Sequence, residues 1–252
     1  MALARIVAVH HQLRGEHTFS HTSAALLHGL TTWRTAAKVE IYQPTSRSGH
    51  GASHLLRHVP MPPLADRTTV VGLPVTTLAR TAWDCMCAMP AGEAIVVADA
   101  ALHAGVTAAE LDAFARRGGR GHSRAARILA VADDGAESAP ESMCRYRLLV
   151  AGYPPPTTQI PVATRFGTYF GDLGWPEWKV LIEYDGRSKY EENATETFIA
   201  EKRRHDALVE KGWRALRVTK EDLASRRGFE TRVAELVPEA AAALRPRREL
   251  RW

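Results

Sequence analysis

No stretch of this 252-residue chain approaches the ~20 consecutive apolar residues that a membrane-spanning helix needs. Near the start, Ile6-Val7-Ala8-Val9 is too short for the apolar core of a secretion signal, so the chain reads as cytoplasmic. Cysteine is scarce. Cys85, Cys87 and Cys144 form an odd set without CxxC spacing, which excludes a disulfide framework and favours plain thiols over a metal or redox centre. Neither GxGxxG nor GxxxxGK[ST] occurs, so no nucleotide cofactor is implied, and without GxSxG nothing points to a serine hydrolase. All but His205 of the 11 histidines precede Ser123, His10-His11, His50, His54 and His58 among them. None stands in the tight paired spacing of a zinc site, so they read as surface or structural residues. Charge of one sign is not in strong excess either. With 33 Lys and Arg against 28 Asp and Glu the net charge is +5, which permits a nucleic-acid partner without demanding one.

What is there suffices for two domains of about 100–200 residues each. In the first half, Ala2 to Leu13 is apolar at helical spacing, and Ser20 to Leu30 reads as a capped helix closed by Gly29. Lys38–Tyr42 alternates like a strand, Ser53–Val59 is another candidate strand, Val70–Val75 leads into Thr76–Asp84 as a strand or turn feeding a helix, and two more helices fit Pro90–Ala104 and Thr107–Arg117. The polar segment Asp133–Ser138 marks a boundary between residues 1–132, a mixed helical and β domain, and residues 133–252. There Ser138 caps a helix with Pro140 and Glu141 in its first turn, running to Ala151-Gly152. Thr157–Thr164, Thr168–Leu173 and Lys179–Tyr184 read as strands. Asn193 to Lys211 is a long helix stopped by Gly212, Trp213–Val218 a fourth strand, and Thr219 the cap of a further helix. This order implies a compact α/β domain with a central mixed sheet. Arg245 to Trp252 reads as a solvated basic tail.

The most informative segment runs from Gly171 to Gly186. A period of two puts Val180, Ile182 and Tyr184 on one face and Lys179, Leu181, Glu183 and Asp185 on the other. Asp172 ends the preceding strand, and antiparallel pairing through the Trp175-Pro176 turn would bring it to Glu183. Carboxylates at strand ends are ordinarily solvated, but gathering several is unfavourable unless a cation neutralises them. Hard oxygen ligands of this kind suit Mg²⁺ or Mn²⁺, the usual apparatus for hydrolysing a phosphodiester. Glu141 could reach the same place from its helix. On the long helix Lys202-Arg203-Arg204 forms a basic cluster, which reads either as an exposed face or as a phosphate contact. Trp175 and Trp178 read as turn residues capping a core rather than as base-stacking platforms.

Glu141, Asp172, Ile182-Glu183-Tyr184-Asp185-Gly186, Lys189-Tyr190, Lys202 to Leu208 and Gly212 to Thr219 together resemble the group related to very-short-patch repair endonucleases, within the PD-(D/E)XK nuclease superfamily. The resemblance spans Glu141 to about Leu223. It implies a restriction-endonuclease-like α/β domain in which Asp172 and Glu183 hold the metal, Glu141 supports them, and Asp185 replaces the superfamily's usual lysine. The positive charge would then come from Lys189, Lys202 or Arg204. Ser20 to Leu30 and Gly72 to Asp84 resemble AbiEi-type antitoxin and regulator proteins of actinobacteria. In those proteins a winged-helix DNA-binding module commonly precedes the equivalent of Ser20; here about nineteen residues do, so that module is expected to be absent or reduced to one helix.

The expected activity is a Mg²⁺- or Mn²⁺-dependent DNA endonuclease of repair or defence, with Glu141, Asp172, Glu183, Asp185 and Lys189 at the reacting centre and Lys202, Arg203 and Arg204 on DNA. The alternative is a regulator or antitoxin that binds DNA and uses the nuclease-like domain as a scaffold. A homodimer and a toxin partner both stay open.

Overall fold

The computed structural model describes residues 2–45, 53–186, 194–225, 227–242 and 244–252. The chain separates into two compact units, Met1–Asp134 together with Trp252, and Gly135–Arg251. Each is a mixed α/β assembly around its own sheet.

The first unit contains α1 (Ala2–Gln12), β1 (Thr18–Phe19), α2 (His21–Leu27), β2 (Val39–Tyr42), β3 (Leu55–His58), β4 (Arg67–Val70), β5 (Leu73–Thr76), α3 (Leu78–Ala88), α4 (Ala91–His103), α5 (Ala108–Ala115) and α6 (His122–Leu129). The strands lie in the order β3-β2-β1-β5-β4. β1 runs antiparallel to β2 and parallel to β5, β2 is parallel to β3, and β4 and β5 form an antiparallel hairpin. Ile6 and Val9 of α1 and Ala24 of α2 pack on Phe19, Ile41 and Val75 of the sheet. Ser20 does stand at the N-terminus of α2, but its hydroxyl makes no capping bond. It lies 3.0 Å from Nδ1 of His21 instead. The helix α6, absent from the sequence reading, buries Ala125 and Ile128.

The second unit contains α7 (Ala139–Ala151), β6 (Thr157–Thr164), β7 (Gly167–Trp175), β8 (Val180–Tyr184), α8 (Ala194–Glu210), β9 (Arg214–Val218), α9 (Lys220–Ala224), α10 (Gly228–Leu236) and α11 (Pro238–Ala242). The Ser138 hydroxyl accepts from the Glu141 amide to start α7, and Gly152 in the left-handed region ends it. β6, β7 and β8 form an antiparallel meander and β9 adds parallel to β8, a mixed four-stranded sheet. Both faces are covered. On one, Cys144 and Leu148 of α7 and Phe229 and Val233 of α10 pack on Val180, Ile182 and Val218. On the other, Leu208 of α8 meets Ile160, Val162 and Leu181. The alternation read from the sequence therefore sends Leu181 and Glu183 to the α8 side.

The C-terminal segment keeps Arg245, Arg248 and Arg251 exposed, as a solvated basic tail would, but it is also anchored to α7. Leu250 is buried, Tyr146 of α7 donates to its carbonyl, and the Arg245 and Arg247 amides donate to the carbonyls of Gly152 and Val150. Gly152 permits the approach: a Cβ there would stand 2.3 Å from the Arg245 carbonyl carbon. One leucine and a glycine helix end thus anchor a segment whose charged side chains stay mostly in solvent.

Candidate active site

β7, Gly167–Trp175, is three residues longer than expected, one at its start and two at its end. Asp172 lies within it rather than at its end, at the point where pairing with β8 stops. The β7–β8 ladder runs from Trp175↔Val180 to Leu173↔Ile182, and the same register places Asp172 opposite Glu183. Beyond Ile182 the ladder is replaced by a side chain: the Tyr184 amide donates to Asp172 Oδ2 at 2.8 Å. Gly171 allows this packing, because a Cβ on it would come within 2.6 Å of Leu181 Cδ2.

Burial pushes the Asp172 carboxyl above its ordinary value, the Tyr184 amide and Arg204 pull it back, and Glu137 adds repulsion. Glu183 is raised by burial too, with Arg204 opposing and Asp172 reinforcing the shift. Glu141 is buried at the first turn of α7, where its carboxylate accepts from the Ser138 hydroxyl at 2.6 Å and the Glu137 amide at 2.9 Å. Burial raises it, and so does the charge of Asp172. Glu141 thus caps its own helix while standing within electrostatic reach of Asp172. Asp185 is half-buried at the end of β8, with its amide held by the Val218 carbonyl at 2.8 Å.

The basic cluster divides by helical phase. Lys202 and Arg203 are exposed. Arg204 turns onto the sheet, ion-pairs with Glu183, donates to the Phe170 carbonyl at 2.9 Å and lies over the Tyr169 ring. Its Nε is buried and has no partner among the described residues. Of the described cations considered for the acidic centre, Lys202 and Arg204, Arg204 is the one brought to it. Lys189 lies outside the described residues. A further cation escaped the sequence reading: Arg217 on β9 ion-pairs with Glu201 at 3.0 Å, is in register with Glu183, and also feels the charges of Glu183 and Asp185. The alternation of β9, once its parallel pairing with β8 is known, is the signal that finds it.

Asp172 and Glu183 are a fitting pair for Mg²⁺ or Mn²⁺, being hard oxygen donors on adjacent strands whose burial and mutual repulsion a divalent cation would relieve. Glu183 is at present neutralised by Arg204, so the pair is one in which a guanidinium does part of what an ion would do. Among the described residues, the group of three ligand-type side chains whose donor atoms lie within 4.8 Å of one another is elsewhere, at His21, Glu40 and His58. No described helix is long and apolar enough to cross a membrane. Cys85, Cys87 and Cys144 are free thiols.

No family model matches the chain, and no solved structure matches it. It is similar to two proteins of Mycobacterium tuberculosis, from strains CDC 1551 and H37Rv, both described as uncharacterized. Each is 31% identical over 109 residues, a match that covers 43% of this chain and 40% of the relative.

Proposed function

We propose that the second unit is a PD-(D/E)XK-type nuclease domain, that the chain is a cytoplasmic Mg²⁺- or Mn²⁺-dependent endonuclease acting on DNA, and that the first unit is AbiEi-like. The observation that carries this reading is the opposed pair Asp172 and Glu183, half-buried at the opening of a mixed sheet, with Glu141 within electrostatic reach and Arg204 at their side. Acids gathered at a fork between strands are unfavourable in themselves and point to a cation. The order α7-β6-β7-β8-α8-β9 adds support, as does the resemblance from Glu141 to about Leu223.

In this reading Asp172 and Glu183 hold the ion, with the Tyr184 amide fixing the Asp172 carboxylate. A bound Mg²⁺ or Mn²⁺ would supply an activated water and polarise the scissile phosphate. Arg204, whose Nε has a proton to donate, exchanges Glu183 for a phosphate oxygen and offsets the charge that develops there. Arg217 and Asp185 flank the same opening, and Lys202 and Arg203 meet the DNA backbone from the exposed face of α8.

The test is cleavage of duplex, mismatched, branched and single-stranded DNA in Mg²⁺ or Mn²⁺, with Glu183→Ala as the variant. Cutting by the wild type, lost by orders of magnitude in the variant while DNA binding in chelator persists, is expected. The Arg204–Glu183 pair favours one other reading, a regulator in which the guanidinium permanently replaces the ion. Tight, sequence-specific binding with every substrate intact in both metals would establish that alternative and overturn the nuclease.

A further inference from the structure

The nuclease reading leaves the first unit without chemistry, yet its sheet assembles three metal-ligating side chains from distant parts of the sequence. Parallel pairing of β2 and β3 sets Tyr42 beside His58, two residues beyond Glu40↔Leu56. The Ser20 amide donates to the Glu40 carbonyl at 3.0 Å, which brings the start of α2 to the same strand. As a result the His21 and His58 rings stack, with centroids 3.9 Å apart and planes 18° from parallel. Both address one oxygen: His58 Nε2 is 3.1 Å and His21 Nδ1 3.8 Å from Glu40 Oε2. The other carboxylate oxygen accepts from the Thr22 hydroxyl at 2.6 Å, so the group is oriented from behind.

Two features separate this cluster from a plain hydrogen-bonded pair. His21 Nδ1 stands 3.8 Å from the carboxylate that it faces, outside hydrogen-bond range, and its near neighbour is the Ser20 hydroxyl at 3.0 Å. His21 is a non-glycine residue at φ +47°, a left-handed conformation that the surrounding fold must hold in place. His21 and His58 also line a cleft of about 860 Å³, whose other walls include Tyr42, Arg57, Arg80 and Arg124.

We infer that His21, Glu40 and His58 form a binding site for a borderline divalent cation of the Zn²⁺ or Co²⁺ class, with its remaining coordination position open to this cleft. Two imidazole nitrogens and one carboxylate oxygen select such ions over Mg²⁺ and Ca²⁺, and a three-residue set leaves room for an exogenous ligand. This site is independent of the acids on the second sheet.

The experiment is titration of the metal-stripped full chain with Co²⁺ and Zn²⁺, followed by visible absorption and calorimetry. One ion is expected at this nitrogen-containing site, with d–d bands in the Co²⁺ form from mixed nitrogen and oxygen ligation. His58→Ala should weaken binding by about 100-fold or more. Glu40→Gln keeps the size of the side chain and its bond from Thr22, and serves if the first variant fails to fold; it should weaken binding as well. His17→Ala should leave stoichiometry and spectrum unchanged. No binding by the wild type at 100-fold excess Co²⁺ and Zn²⁺, or undiminished binding by folded His58→Ala or Glu40→Gln protein, would overturn the inference.

Discussion

Arg204 of α8 forms an ion pair across the layer boundary with Glu183 of β8, in which the carboxylate is the more deeply buried partner. Burial raises the Glu183 carboxyl and Arg204 opposes that rise, so the guanidinium keeps a charge on this face of the sheet. Removing it should leave a buried carboxylate unpaired. We expect Arg204→Ala to lower stability by about 1–3 kcal/mol in chelator. Millimolar Mn²⁺ should restore more of that loss than it adds to the wild type, because the ion takes over the neutralising role. Urea unfolding of both proteins with and without Mn²⁺ decides it, and equal metal effects would detach Arg204 from the acidic centre.

Gly171 has a purely steric reason to be glycine. A methyl at that position overlaps Leu181, whose side chain belongs to the cluster with Leu208, Ile160 and Val162. Gly171→Ala should therefore cost about 1–3 kcal/mol by overpacking. In a Leu181→Ala background the same change should cost far less, since the cavity accommodates it. A double-mutant cycle showing no coupling would place the cause in the backbone instead.

The acid side of the stability profile should carry the signature of Asp222. Burial acts to raise its carboxyl, but the Thr219 amide at 2.8 Å and the Arg232 guanidinium at 2.7 Å outweigh it and hold the group below its ordinary value. A lowered folded-state pKa contributes stability above the unfolded value, near 4, that is lost as pH falls through the folded value. Asp222→Asn should flatten the fall in unfolding free energy below about pH 4 and leave its slope near neutrality unchanged. An unaltered acid limb would mean that Thr219 and Arg232 do not discriminate between the two protonation states.

Elements bounded by their own chemistry were legible in the sequence. Ser138, Pro140 and Gly152 punctuate α7, Gly212 closes α8, and the capping pair Thr219 and Asp222 opens α9. The alternation in β8 separated Ile182 from Glu183 without any knowledge of neighbours. Two-residue β1 is too short to show a period, and α6 begins at Gly121 with no side-chain cap to announce it. Asp172 opposite Glu183 was readable because one hairpin joins them. His21, Glu40 and His58 were not, because separations of about twenty residues leave no local spacing, and only the parallel β2–β3 pairing and the contact of α2 with β2 bring them together. The phase of α8 likewise decided that Arg204, and not Lys202, would face the acids.

That phase also sets the expected roles of the basic cluster in DNA binding. Lys202 and Arg203 are exposed and free to approach phosphate, whereas the charge of Arg204 is already matched by Glu183. Each phosphate contact releases condensed counterions and contributes about one unit to the dependence of log K on log salt. Lys202→Gln and Arg203→Gln should therefore each reduce that slope by about one for any duplex sequence, since a backbone contact carries no base information. Arg204→Gln in chelator should reduce it by less, because Arg204 is there paired with Glu183 and has no full phosphate contact to lose. In saturating Mn²⁺, with Glu183 neutralised by the ion and Arg204 released toward phosphate, the same variant should show the full decrement of about one. A slope indifferent to Lys202 and Arg203 would return them to ordinary surface charge, and an Arg204→Gln slope that is the same with and without Mn²⁺ would contradict the exchange of Glu183 for phosphate on which the nuclease mechanism depends.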